Sequence, residues 1–176
     1  MVEESVVQQL CLPLDDVIRN GLHLPAPAVA LGTFDGVHLG HQAIIRRAKE
    51  LAAQVGGVPI AFTFDRHPAE VVEGRPVPPL LTDLRDRLAL LAEQGGAATV
   101  VARFDRPFSR ISAASFVQDV LVKALGARVV VCGFNFRFGQ AAAGDVQFLE
   151  ACGRTMGFDV AVLPAVEGNG VTVSST

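Results

Sequence analysis

The sequence predicts a doubly wound, mostly parallel α/β sheet in a single domain. Three observations carry this. Short apolar runs without polar alternation recur at 28–31, 58–64, 98–102, 128–132 and 158–163, as expected of strands buried on both faces. Amphipathic stretches with helical spacing lie between most of them. The connections are short and punctuated by glycine or proline, so strand and helix alternate with right-handed crossovers. A chain of 176 residues, half of them hydrophobic, can bury one substantial core.

Taken in order, Ser5 to Leu10 reads as a short edge strand, and Leu14 to Asn20 as a helix stopped at Gly21. Ala28 to Leu31 is the first strand of the sheet proper. A helix follows from Leu39 to Val55, with Ile44, Ala48, Leu51 and Val55 on one stripe, widened by Ile45 and Ala52, and Gly56-Gly57 closing it. Val58 to Phe64 is the second strand, and Pro68 turns the chain away from the sheet. Residues 73–80 read as a surface loop. Thr82 is the expected cap of a helix through Gln94, with Leu84, Leu88 and Leu91 as its buried stripe. Ala98 to Ala102 is the third strand, and Phe104 to Arg110 is irregular. Ser112 caps a helix ending near Gly126, with Phe116, Val120 and Leu121 inside. Arg128 to Cys132 is the fourth strand, and Gly133 to Gly139 a loop. Asp145 caps a helix to Met156, Phe158 to Leu163 is the fifth strand, and Val171 to Val173 begins a sixth.

Composition excludes several functions. The formal net charge is −3, so nothing draws the chain as a whole to nucleic acid or an anionic membrane, and an anionic ligand needs a local site. Cys11, Cys132 and Cys152 are widely spaced, with no CxxC pair and no zinc-ligand spacing. They read as three reduced thiols of a cytoplasmic protein. The first ten residues lack a signal-peptide pattern, and no uninterrupted apolar run reaches the roughly 18 residues of a membrane span.

Ligands of an open parallel sheet bind beyond the carboxyl ends of its strands. Three distinctive loops fall there: Thr33 to His41, Asp65 to Pro68, and Gly133 to Gly139. In the first, Gly32 and Gly36 permit tight turns, and the helix that follows offers N–H groups and partial positive charge to an anion. His38 and His41 stand about one helical turn apart, so both can face that anion, and Gly40 between them leaves room for it. The chain has neither G-x-x-x-x-G-K-[ST] nor GxGxxG at this turn. His67 before Pro68 reads equally well as a turn residue or as part of the site. Phe134, Phe136 and Phe138 alternate around Asn135 and Arg137, either plugging the core or walling a flat ring. Arg103, Arg106 and Arg110 read as solvated charges, and His23 has no supporting context.

The string Gly32-Thr33-Phe34-Asp35-Gly36-Val37-His38-Leu39-Gly40-His41-Gln42 resembles the HxGH nucleotidyltransferases, and within them the FMN adenylyltransferase (FAD synthetase) module of prokaryotic bifunctional riboflavin kinase/FAD synthetases. Three more segments agree in the family's order. Thr63 to Pro68 resembles TFDPHP, Gly133 to Gly139 resembles G-x-x-FRFG, and Val173 to Thr176 resembles the start of ISSTxIR. Arg66 stands where the family usually has Pro. The resemblance implies a Rossmann-like nucleotidyltransferase fold and the reaction ATP + FMN → FAD + pyrophosphate. It implies one FMN adenylyltransferase domain over residues 1–176, cut within its last motif and without the family's riboflavin kinase barrel.

By the same resemblance His38 and His41 are catalytic. Gly32, Phe34, Asp35, Gly36, Gly40, Ser174, Ser175 and Thr176 bind ATP. Phe64, Asn135 and Phe138 bind flavin. Mg²⁺ comes with ATP, and no protein residue is assigned as a metal ligand. Two other readings stay open on the residues: an HxGH adenylyl- or cytidylyltransferase with another acceptor, and a nucleotide- or flavin-binding fragment without turnover.

Overall fold

The apolar runs become strands of one sheet in the computed structural model, which describes residues 10–72, 82–96, 98–168 and 171–173. The strands are β1 (Leu10–Pro13), β2 (Ala28–Leu31), β3 (Pro59–Phe64), β4 (Ala98–Ala102), β5 (Val129–Gly133) and β6 (Asp159–Leu163), in spatial order β1-β4-β3-β2-β5-β6. Every neighbouring pair is parallel. Parallel neighbours need crossovers, and helices supply most of them. They are α1 (Leu14–Asn20), α2 (Leu39–Val55), α3 (Pro68–Val72), α4 (Leu84–Glu93), α5 (Arg106–Ser109), α6 (Ala113–Ser115, running on as a π-wound helix over Phe116–Ala124) and α7 (Val146–Met156).

Side-chain alternation along each strand feeds two cores. From β2, Ala28 and Ala30 face α2, whose Ile44, Ile45, Ala48 and Ala52 pack there with Ala61 of β3 and Val129 and Val131 of β5. Val29 and Leu31 face the other way, onto Leu14 and Val17 of α1, Val117 and Leu121 of α6, and Leu149 of α7. Burying each large aliphatic side chain is worth about 1.5–3 kcal/mol. The expected stripe of α2 is therefore right in its centre, while Leu51 and Val55 are only half-buried. Gly56 stops α2 in the left-handed region, at φ 67°, where a side chain would be strained.

Several sequence expectations shift. The edge strand begins at Leu10 and pairs with β4; residues 5–9 lie outside the described part. The loop expected at 73–80 also lies outside it. Pro68 opens α3, since a first-turn proline sacrifices no helical hydrogen bond. Asp83, not Thr82, caps α4, its carboxylate accepting from the Asp86 N–H at 2.8 Å. The buried residues of α4 are Arg87 and Leu91, whereas Leu84 and Leu88 are half-buried. The irregular 104–110 stretch contains α5, capped by Asp105. Val171–Val173 does not join the sheet. It forms β8, antiparallel to β7 (Val166–Gly168), in a separate ribbon. No helix among the described residues is long and apolar enough to cross a membrane. The three cysteines are free thiols.

Candidate active site

The strand order defines where a ligand belongs. From central β2 the chain builds outward through β3 and β4 on one side, and through β5 and β6 on the other. The direction reverses between β2 and β5, and the loops after these two strands flank the resulting crevice. Those loops are 32–38 and 134–139, two of the three singled out from sequence.

The first loop is a strained turn. Phe34 and Val37 sit at φ 53° and 44°, unusual for residues with a Cβ and most unusual for β-branched Val37, and Gly36 takes φ 72°. Phe34 is fully buried, and its ring meets His41 edge-on with centroids 5.3 Å apart. Gly32 leaves room for that ring: an added Cβ would lie 3.2 Å from it. Gly32 and Phe34 thus shape the loop from beneath. His38 and His41 stack with ring centroids 3.6 Å apart, His41 buried and His38 half-exposed above it. Asp35 accepts from the Thr82 N–H and hydroxyl at 3.0 and 3.1 Å. The Gly36 N–H donates to the Thr82 hydroxyl at 3.2 Å.

His38 has a structural role that the sequence reading did not give it. It is the N-cap of α2, Nδ1 accepting from the N–H groups of Gly40 and His41 at 3.1 and 3.4 Å. Those two donors are therefore engaged internally rather than offered to an anion. With Nδ1 accepting, the neutral ring carries its proton on Nε2.

The second feature is an apolar cavity of about 580 Å³, a size suited to a flat heterocycle. Phe64 from the end of β3, Phe104, Phe108 and Phe116 wall one part, and Phe138, Gly139, Ala141 and Ala142 of the loop after β5 wall another. The rings pack edge to face: Phe64 lies 5.3 Å from Phe104 and 6.0 Å from Phe108. His67 and Arg137 are the charged or titratable residues of its lining. His67 lines the cavity and also serves the turn, its Nδ1 accepting from the Ala69 N–H at 3.1 Å. Phe64 and Phe138, expected from the resemblance to bind flavin, both line the cavity. Asn135 sits half-buried in the preceding turn and is not part of its lining. The three-Phe wall reduces to one: Phe138 lines the cavity, Phe136 stacks on it at 5.7 Å, and Phe134 is exposed. Ser174, Ser175 and Thr176 lie outside the described residues.

The sequence reading missed Phe104, Phe108 and Phe116 as a cluster, because they are spread over one connection and two helices. It also missed what joins the two features. Buried Arg87 donates from Nη1 to the Thr33 carbonyl at 2.9 Å, the Thr63 hydroxyl at 3.2 Å and the Phe64 carbonyl at 2.8 Å. Burial pulls its pKa below the usual guanidinium value, and the carboxylates of Asp35 and Asp65 oppose that pull. The only sequence signal for it was a charge at the buried-stripe position four before Leu91. Asp65 itself is structural, its carboxylate accepting from the Phe104 N–H at 2.9 Å. Arg66 reaches Asp65 at 3.7 Å, is half-exposed and does not line the cavity. Arg103, Arg106 and Arg110 are exposed, as expected.

Residues 23–176 match the FAD synthetase family model. The chain belongs to the FAD synthetase family. It is 35% identical over 148 residues to the bifunctional riboflavin kinase/FMN adenylyltransferase of Escherichia coli K12, covering 84% of this chain and 47% of that protein. The Listeria monocytogenes enzyme of the same description is 39% identical over 151 residues, with the same coverage. A putative bifunctional riboflavin kinase/FMN adenylyltransferase of Geobacillus thermodenitrificans is 40% identical over 131 residues, covering 74% of this chain and 70% of its own. This FAD synthetase family member thus spans about half the length of the first two relatives. Among solved structures, a macrolide-efflux protein of Streptococcus pneumoniae shares the fold, with a TM-score of 0.77 at 24% identity over 95% of this chain and 55% of that one. Pantoate-beta-alanine ligase of Francisella tularensis shares it with a TM-score of 0.60 at 14% identity, over 95% and 71%.

Proposed function

We propose that this chain transfers the adenylyl group of ATP to FMN, giving FAD and pyrophosphate. The supporting observation is the pairing of a stacked His38–His41 cap with a phenylalanine-walled cavity at the crevice of a FAD synthetase family sheet. The cavity takes the flavin ring. The loop 32–38 and the entrance of α2 take the triphosphate. The FMN phosphate is largely dianionic at neutral pH, its second pKa lying near 6. It attacks the α-phosphorus of ATP in line. A new P–O bond forms there as the bond to the pyrophosphate oxygen breaks, and the electron pair leaves with pyrophosphate. No strong general base is required.

What the chain supplies is position and charge stabilisation. His38 Nε2–H and His41 steady charge on the phosphates as the transfer proceeds. Asp35, Gly36 and Gly40 hold the loop open around them. Ser174, Ser175 and Thr176 add hydroxyl donors, and Asn135 orients the flavin from the turn above the cavity. Mg²⁺ accompanies ATP in this reading. Among the described residues there is no group of three His, Cys, Asp or Glu side chains to hold it. The ion is therefore left to the substrate phosphates and water, and no step is routed through it. The chain is read as one adenylyltransferase unit working in the cytoplasm, joined in its relatives to riboflavin kinase.

Incubation with Mg–ATP and FMN, with FAD and pyrophosphate followed by chromatography, tests this. Equimolar FAD and pyrophosphate are expected. Riboflavin, which brings the ring without the phosphate nucleophile, gives neither. Binding of ATP and FMN without product leaves a binding fragment, and product only with another acceptor reassigns the cavity.

A further inference from the structure

Fold stability does not account for Arg87. It occupies a buried-stripe position of α4, and only 2% of its surface is exposed. Taking a guanidinium out of water is costly, and an apolar side chain there would often be at least as stable. Its Nη1 instead gathers three oxygens from two strand ends. Thr33 opens the strained loop that carries His38, while Thr63 and Phe64 end the strand that walls the cavity. The Thr63 hydroxyl donates to the same Thr33 carbonyl at 2.9 Å, closing the triangle. Five residues earlier, Thr82 grips Asp35 and Gly36. Nε and Nη2 of Arg87 have no hydrogen-bond partner among the described residues.

We propose that Arg87 is a positioning residue, which fixes the nucleotide loop and the end of the flavin-walling strand at one spacing. This goes beyond the assignment of adenylyl transfer and rests on it. The reacting phosphates come from ligands held on opposite sides of that triangle. A shift of one side relative to the other costs rate steeply, a displacement of about 1 Å being worth roughly 100-fold. Arg87 is buried and does not line the cavity, so each ligand on its own is expected to bind much as before.

Arg87→Met keeps the volume and removes the charge, and Arg87→Lys keeps the charge with a single donor head. The Met variant is expected to lower kcat about 100-fold per ATP-binding molecule, with both KM values within about threefold, and Lys to recover about tenfold of the loss. Wild-type kcat in a folded Met variant, or Lys no better than Met, overturns the proposal. If Met fails to fold, Lys alone decides: about tenfold below wild type supports the assignment, and equality with wild type refutes it. A second readout needs no turnover. Amide exchange over residues 33–38 should quicken about tenfold in the variants while the centre of α2 is unchanged, and an unchanged loop refutes the role. Absence of FAD from the wild type would defeat the adenylyl-transfer reading by itself, and exchange would still decide the brace.

Discussion

His38 caps a helix and is proposed to act on the phosphates, and substitution can separate the two. Its Nδ1 caps α2, and its Nε2–H is assigned to the ATP phosphates. Loss of a side-chain cap costs about 1 kcal/mol. In a chain of 176 residues that lowers Tm by about 2–4 °C. Loss of one preorganised donor to transition-state charge costs about 2.7–4 kcal/mol, or 10²–10³ in kcat. Asparagine is among the best caps, since its side-chain oxygen can accept from the same N–H groups, but it is too short to place a donor where Nε2 stands. His38→Asn should therefore melt within about 1 °C of wild type and lose roughly 10²–10³ in kcat. His38→Ala should lose both. Calorimetry and the FAD-forming assay read the two effects independently. A His38→Asn protein with wild-type kcat would show that His38 is only a cap, and the catalytic assignment would fail.

Three further outcomes are expected. Phe108→Ala removes a ring from the cavity wall and should weaken FMN binding at least about tenfold with ATP affinity unchanged; titration calorimetry showing the reverse would move the flavin elsewhere. Ala141 and Ala142 sit at φ 54° and 52°, where a Cβ is strained by about 1 kcal/mol, so Ala141→Gly should raise Tm by about 2–4 °C, and a lower Tm would contradict the strain. Buried Cys132 has its thiol pKa pushed up to about 12, chiefly by desolvation and further by Glu150. Alkylation at pH 8 should label exposed Cys11 first and reach Cys132 only on unfolding. The sign for stability follows. Below about pH 8.5 both states hold that proton; above it the unfolded thiol ionises while the folded one does not, so this group's contribution falls from there to about pH 12.

The main sheet was legible because its signals are local. Parallel buried strands such as Val129–Gly133 are apolar throughout, and α1, α2 and α7 carry explicit start or stop residues. The histidine loop was legible for the same reason: all of it lies within ten residues. What escaped depends on contacts distant in sequence. Thr82 is a good cap by type, but Asp35, 47 residues away, claims its hydroxyl and leaves the cap to Asp83. Arg87 shows in the sequence only as a charge within a helix until Thr33 and Phe64 are brought beside it. The cavity draws on five phenylalanines from residue 64 to 138, and periodicity says nothing about such a gathering. Asn135 was chosen by family resemblance, and its neighbour Phe138 proved the better guide to the cavity.

The most direct test is a single reaction. Purified chain, Mg–ATP and FMN are mixed, and FAD and pyrophosphate are quantified by chromatography over time. Catalytic turnover to FAD with one pyrophosphate released per FAD, and none from riboflavin, is the predicted result. Tight binding of both ligands with no FAD formed would contradict adenylyl transfer by this chain.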